Sequence, residues 1–144
     1  MKKVIFTLIG VSLCVLLILG FSEYRTKHFV NTFISNPDEF TDMVDSIVIW
    51  EENNTSTVSE IIANQGDEKF QEIQNVFSEW EVKRTVFKDL DLNSQTYGIN
   101  FKSEENPMKS IHILVNEDDM INVNGYEYEL VNGIPIEELI DRVK

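Results

Sequence analysis

Four scarcities shape this chain, and each excludes something. Cysteine is nearly absent. The single one, Cys14, sits inside an apolar run, so the rest of the chain has no disulfide and no thiol nucleophile. A domain of about 120 residues must then fold on packing alone. That fits bacterial exported proteins better than a disulfide-built secreted scaffold. Basic residues are few, 12 Lys and Arg against 25 Asp and Glu. Removing residues 1–22 takes away two lysines and no acid, leaving 10 basic residues, 25 acidic ones and a formal charge of −15. Such a balance argues against a nucleic-acid partner, because phosphate binding needs clustered Lys and Arg. It also argues against a domain lying flat on anionic lipid. It suits a soluble domain held off the membrane, or one that meets a basic partner.

Histidine is limited to His28 and His112, far apart in sequence and with no cysteine beside either, so no zinc-ligand set is present. Glycine numbers six, and none stands in a phosphate-cradling loop or in a Gly-x-Ser-x-Gly elbow. No cofactor-binding motif, catalytic constellation or small-molecule substrate site is legible, and the protein is not expected to be an enzyme.

What the chain does have is a long apolar start. Met1-Lys2-Lys3 leads into Val4–Phe21, eighteen residues without a charge. As a helix the run rises about 27 Å, close to the roughly 30 Å of a bilayer core. Its apolar residues surround the helix, so it has no polar stripe of the kind a surface helix carries. Two readings are open, an uncleaved signal anchor or a signal peptide cleaved between Ser22 and Glu23. The anchor is favoured, because the run exceeds an ordinary signal core and Phe21-Ser22 fits the small-residue cleavage pattern poorly. Lipidation at Cys14 fits less well still. Leu13 precedes it, and apolar residues continue through Phe21, so Cys14 reads as a small apolar helix residue. Lys2 and Lys3 place the amino terminus in the cytoplasm and the acidic domain outside, although Arg25 and Lys27 weaken the bias.

Beyond the run, Ser22–Ser35 reads as helix or linker with Phe29, Phe33 and Ile34 on its apolar edge. Asn36-Pro37-Asp38-Glu39 is a helix-start signal, with Phe40, Met43 and Val44 inward. Ser46–Glu51 is a strand, Glu52–Ser56 a polar turn and Thr57–Ile62 a weaker second strand. In Asp67–Trp80 the residues Phe70, Ile73, Phe77 and Trp80 recur at helical spacing on one face, which is expected to pack on a sheet. From Val82 the period becomes two. Strands are expected at Val82–Lys88, around Tyr97–Phe101, Ile111–Val115, Ile121–Val123 and Tyr126–Leu130.

Asn124-Gly125 is a two-residue hairpin signal. It sets Val123 opposite Tyr126 and Ile121 opposite Tyr128, and Ile113 should then oppose Val123 with Met120 in a turn or bulge. Asn132-Gly133 ends the last strand. Pro135 starts a terminal helix with Ile136, Leu139, Ile140 and Val143 apolar.

The expected fold is α+β. An amino-terminal transmembrane helix precedes one antiparallel sheet of about five to seven strands packed against two or three helices. The chain divides into an anchor (1–22), a juxtamembrane helical linker (23–45) and an acidic soluble domain (46–144).

Asp89, Asp91 and Asn93 have the alternate-oxygen spacing that opens a calcium loop. The sixth and twelfth positions hold Ser94 and Asn100 instead of Gly and Glu, so a polar turn is the better reading. Glu117-Asp118-Asp119 reads as a second solvated turn. His112, between Ile111 and Ile113, faces away from the core. The layout is similar to that of many small exported or membrane-tethered proteins of Gram-positive bacteria, a likeness of layout with no family signature.

The expected function is a single-pass membrane-anchored bacterial protein with an extracytoplasmic, non-enzymatic protein-interaction domain, regulatory or assembly-related. It would meet the membrane through residues 4–21 and another membrane or envelope protein through a sheet edge or the acidic turns. The alternatives are an acidic immunity or inhibitor protein against a basic toxin or enzyme, a cation sensor at Asp89–Asn93, or a secreted protein after cleavage.

Overall fold

A computed structural model describes residues 2–34, 40, 43–52, 60–86, 88–91, 93–104 and 110–144, with side chains in the first helix described for 10–18 and 20–23. Helix α1 is Lys2–Glu23. There follow β1 (Lys27–His28), α2 (Phe29–Phe33), β2 (Ser46–Glu51), β3 (Glu60–Asn64), α3 (Glu68–Glu79), β4 (Glu81–Arg84), β5 (Thr96–Lys102), β6 (Ile111–Asn116), β7 (Met120–Val123), β8 (Tyr126–Asn132) and α4 (Ile136–Val143). The strands form one eight-stranded sheet in the order β1-β4-β8-β7-β6-β5-β2-β3. Every described pairing is antiparallel. The α+β class is as expected, and the sheet is larger than the sequence indicates because β1 adds an edge strand of two residues.

The period-two pattern explains the core. Ile47, Ile49, Ile61, Ala63, Tyr97, Ile99, Phe101, Ile113, Val115, Ile121, Val123 and Tyr128 share the sheet face that meets the helices. Against it lie Phe70, Ile73 and Phe77 of α3, then Trp80, and Ile136, Leu139, Ile140 and Val143 of α4. The aromatic stripe of α3 is therefore sheet packing, as its spacing suggests.

Phe29 is fully buried at the centre. Its ring lies 5.4 Å from Phe77 and 5.8 Å from Trp80, and its N–H donates to the Trp80 carbonyl at 2.9 Å. The segment after α1 is thus not only helix or linker, since β1 joins the sheet and α2 enters the core. Trp80 Nε1 donates to the Ile134 carbonyl at 2.9 Å. Gly133, at φ +123°, lets this indole approach: a Cβ there would come within 2.6 Å of Trp80 Cδ1.

Hairpin register follows the sequence reading in most respects. Val123 opposes Tyr126, Ile121 opposes Tyr128 and Ile113 opposes Val123. Met120 differs: it is paired in the ladder with Glu129 of β8. Its N–H is taken by Asn116 Oδ1 at 2.9 Å, while Asp119 at φ 56° closes the β6–β7 turn. Strand β4 ends at Arg84 rather than Lys88, and β3 runs on to Asn64. Val44 N–H bonds the Phe40 carbonyl, and both side chains are buried. The Asn36-Pro37 start and the Asn53–Ser56 turn lie outside the described residues.

Among the described residues no helix is long and apolar enough to cross a membrane. In α1 this covers the side chains of residues 10–18 and 20–23 only. Within that stretch Val11, Leu13, Val15, Leu16, Leu17, Ile18 and Phe21 are all exposed.

Candidate interaction face

Alternation that sends one set of side chains to the helices sends the other set to the opposite face. Register partners line up across five strands as Trp50, Gly98, Leu114, Asn122 and Glu127. A neighbouring row reads Ile62, Val48, Asn100 and His112. None of these nine residues belongs to the core cluster between sheet and helices. Ile62 is 55% exposed and His112 is exposed, whereas Val48 and Gly98 are buried and the other five are half-buried. At about 4.8 Å per strand, five strands make a face about 24 Å wide, the scale of one side of an ordinary protein interface.

Its centre is aromatic. The Trp50 ring stacks on His112 with centroids 5.3 Å apart and planes 18° from parallel. Gly98 makes room for the stack, because a Cβ at that position would come within 2.2 Å of the Trp50 ring. Two buried oxygens on this face, Asn100 Oδ1 and Glu127 Oε2, have no hydrogen-bond partner among the described residues. The other Glu127 oxygen accepts from Asn122 Nδ2 at 2.6 Å. A buried acceptor left without a donor is costly.

The calcium-like turn is organised differently. Asp91 Oδ1 accepts from the backbone N–H and the side-chain Nδ2 of Asn93, both at 2.9 Å, and Ser94 Oγ donates to the Asp91 carbonyl. These bonds build a local Asx turn. Asp89 is exposed, and Asn100 lies in β5 on the sheet face. Among the described residues no three His, Cys, Asp or Glu side chains converge as metal ligands.

In the second acidic turn, Asp119 Oδ1 accepts the Ile136 N–H at 3.0 Å and so caps α4. Burial raises the Asp119 pKa, partly offset by this bond and added to by Asp118. His28 is exposed, 3.7 Å from Glu81. Cys14 is exposed on α1. A cavity lined by Ile49, Trp50, Tyr97 and Ile140 offers ≈ 10 Å³, room for about one water.

Sequence reasoning turned His112 outward but did not find its partner. Trp50 stands on another strand, and only the β2–β5–β6 register brings the two rings together. The one signal was a small residue, Gly98, inside a strand otherwise rich in large ones.

Compared with protein-family models, with curated proteins and with solved structures, the chain matches none.

Proposed function

We propose that this protein is a membrane-tethered, non-enzymatic binding protein whose domain docks another envelope or membrane protein on the open sheet face. One observation carries the reading. A Trp-centred patch lies opposite the core, with the Trp50 ring stacked on His112 above Gly98. Interface centres are rich in aromatic residues, with Trp prominent among their strongest contacts. The tether rests on Val4–Phe21 and on the apolar side chains that α1 exposes. Uncovered apolar surface of that kind calls for lipid or protein around it. Lys2 and Lys3 favour an external domain.

The test is photocrosslinking in intact cells. A photoreactive residue at His112 or Ile62 should capture one discrete protein, and Trp50→Ala should abolish the capture. A probe at Glu138, on the exposed side of α4, serves as the control. Equal labelling from all three positions, or none from the two sheet positions, would end this reading. External protease should also digest a tag placed after Lys144; a protected tag would put the domain in the cytoplasm.

A further inference from the structure

The domain is strongly acidic overall, yet its cations gather at one corner. Of its 10 basic residues, Arg25, Lys27, Lys83, Arg84 and Lys88 lie around the place where α1 meets the β1–β4 edge. Pairing of Lys27 with Val82 brings the two sequence-distant groups together. Glu23 occupies two of these cations, with Lys27 at 3.2 Å and Arg84 at 3.0 Å. Lys27, by its hydrogen bond and then its charge, and Arg84 with it hold Glu23 below the usual carboxylate range. Lys88 is 2.7 Å from Glu129, the acid that lines the same corner. Arg25 and Lys83 are left exposed, with no ion pair to any described residue.

Two adjoining grooves open here. One, ≈ 390 Å³, is lined by Gly20, Phe21, Tyr24, Arg25 and Lys83. The other, ≈ 410 Å³, shares Tyr24 and Lys83 and continues along Arg84–Val86 to Glu129. The lining is graded. Gly20 and the 83% exposed Phe21 form the apolar end, continuous with α1, and Tyr24 is the step to Arg25 and Lys83. Tyrosine and basic residues in that order mark the depth at which a membrane passes from acyl chain to headgroup.

We infer that this groove binds an anionic phospholipid, with its phosphate on Arg25 and Lys83 and its upper acyl chain along Gly20 and Phe21. The inference rests on the tether reading. It also qualifies the argument from net charge: a domain at −15 can still face anionic lipid when its cations share one corner. Binding there would hold the β1–β4 edge toward the bilayer and fix the tilt of the domain on its stalk. Arg84 lies with its guanidinium carbon 4.3 Å from the Tyr126 ring centroid, so the wall behind the lipid is itself braced.

The experiment uses the full chain in phosphatidylcholine vesicles, with a photoactivatable phosphatidylglycerol or phosphatidylcholine as probe and adducts mapped by mass. The phosphatidylglycerol probe is expected to label Tyr24 and Lys83–Val86. Arg25→Glu with Lys83→Glu should cut that labelling about ten-fold or more, whereas Arg25→Lys with Lys83→Arg should keep it. Equal labelling by both probes, or no loss in the charge-reversed variant, would overturn the proposal while leaving the tether intact. Competition by inorganic phosphate as effective as that by phosphatidylglycerol vesicles would also overturn it, marking a phosphate site rather than a lipid site. Failure to float with vesicles of any composition would remove the tether reading, and this proposal with it.

Discussion

Asp119 links two elements through one side chain. At φ 56° its backbone takes the left-handed turn conformation between β6 and β7, and its carboxylate accepts the first N–H of α4. Aspartate and asparagine tolerate that conformation better than most residues, and either side chain can cap. Burial pushes the Asp119 pKa up despite the bond from Ile136. A raised folded-state pKa means that the folded chain binds the proton more readily than the unfolded one. This contribution to stability is fully present below the ordinary aspartate pKa. It is lost as pH rises through the folded value. Asp119→Asn keeps the acceptor and removes the charge. Melting temperature measured from acid to neutral pH should show a smaller fall, or a larger rise, for the variant than for the parent across that window. At neutral pH the variant should be at least as stable. A variant curve parallel to the parent's would mean that the charge at Asp119 does not matter.

At the scale of elements, the legible parts were those whose signal is local. Phe70, Ile73 and Phe77 give α3 its period, and Asn124-Gly125 fixes the β7–β8 register without outside help. What was not legible depended on pairing between distant segments. Lys27-His28 has no strand propensity of its own and is a strand only because Glu81-Val82 lies beside it. The Trp50–His112 face and the Arg25–Lys83 corner are likewise products of register. The same reasoning makes the segment after α1 part of the folded unit in energetic terms. Phe29, Val30, Ile34, Phe40 and Val44 are each at most 6% exposed. Truncating one buried Phe alone costs about 3–5 kcal/mol, against a usual total stability of about 5–15 kcal/mol. A fragment of residues 23–144 should therefore unfold cooperatively in denaturant, while one of residues 46–144 should show no cooperative transition. Equal midpoints for the two would mean that α2 and its neighbours sit on a core already complete without them.

For the whole molecule, the charge balance opposes the fold more than it supports it. Twenty-five acidic residues face 12 basic ones, and most of the described ion pairs are exposed or half-exposed. Pairs of that kind contribute little, because solvent screens them, whereas repulsion among the excess acids acts over the whole surface. Salt shortens the reach of both, to about 8 Å at physiological ionic strength, and long-range repulsion is screened before a contact at 3 Å is. Raising sodium chloride from low to physiological levels should therefore raise the melting temperature of the full chain in uncharged detergent, by about 2–5 °C. The concentration of half of the domain's cations at the α1–β4 corner sharpens this expectation, because the remaining surface is left with a larger excess of acid. Charge reversal at Arg25 and Lys83 adds to that excess and should steepen the salt dependence. A melting temperature that falls with salt would show instead that the pairs at Glu23, Glu129 and Arg142 outweigh the repulsion.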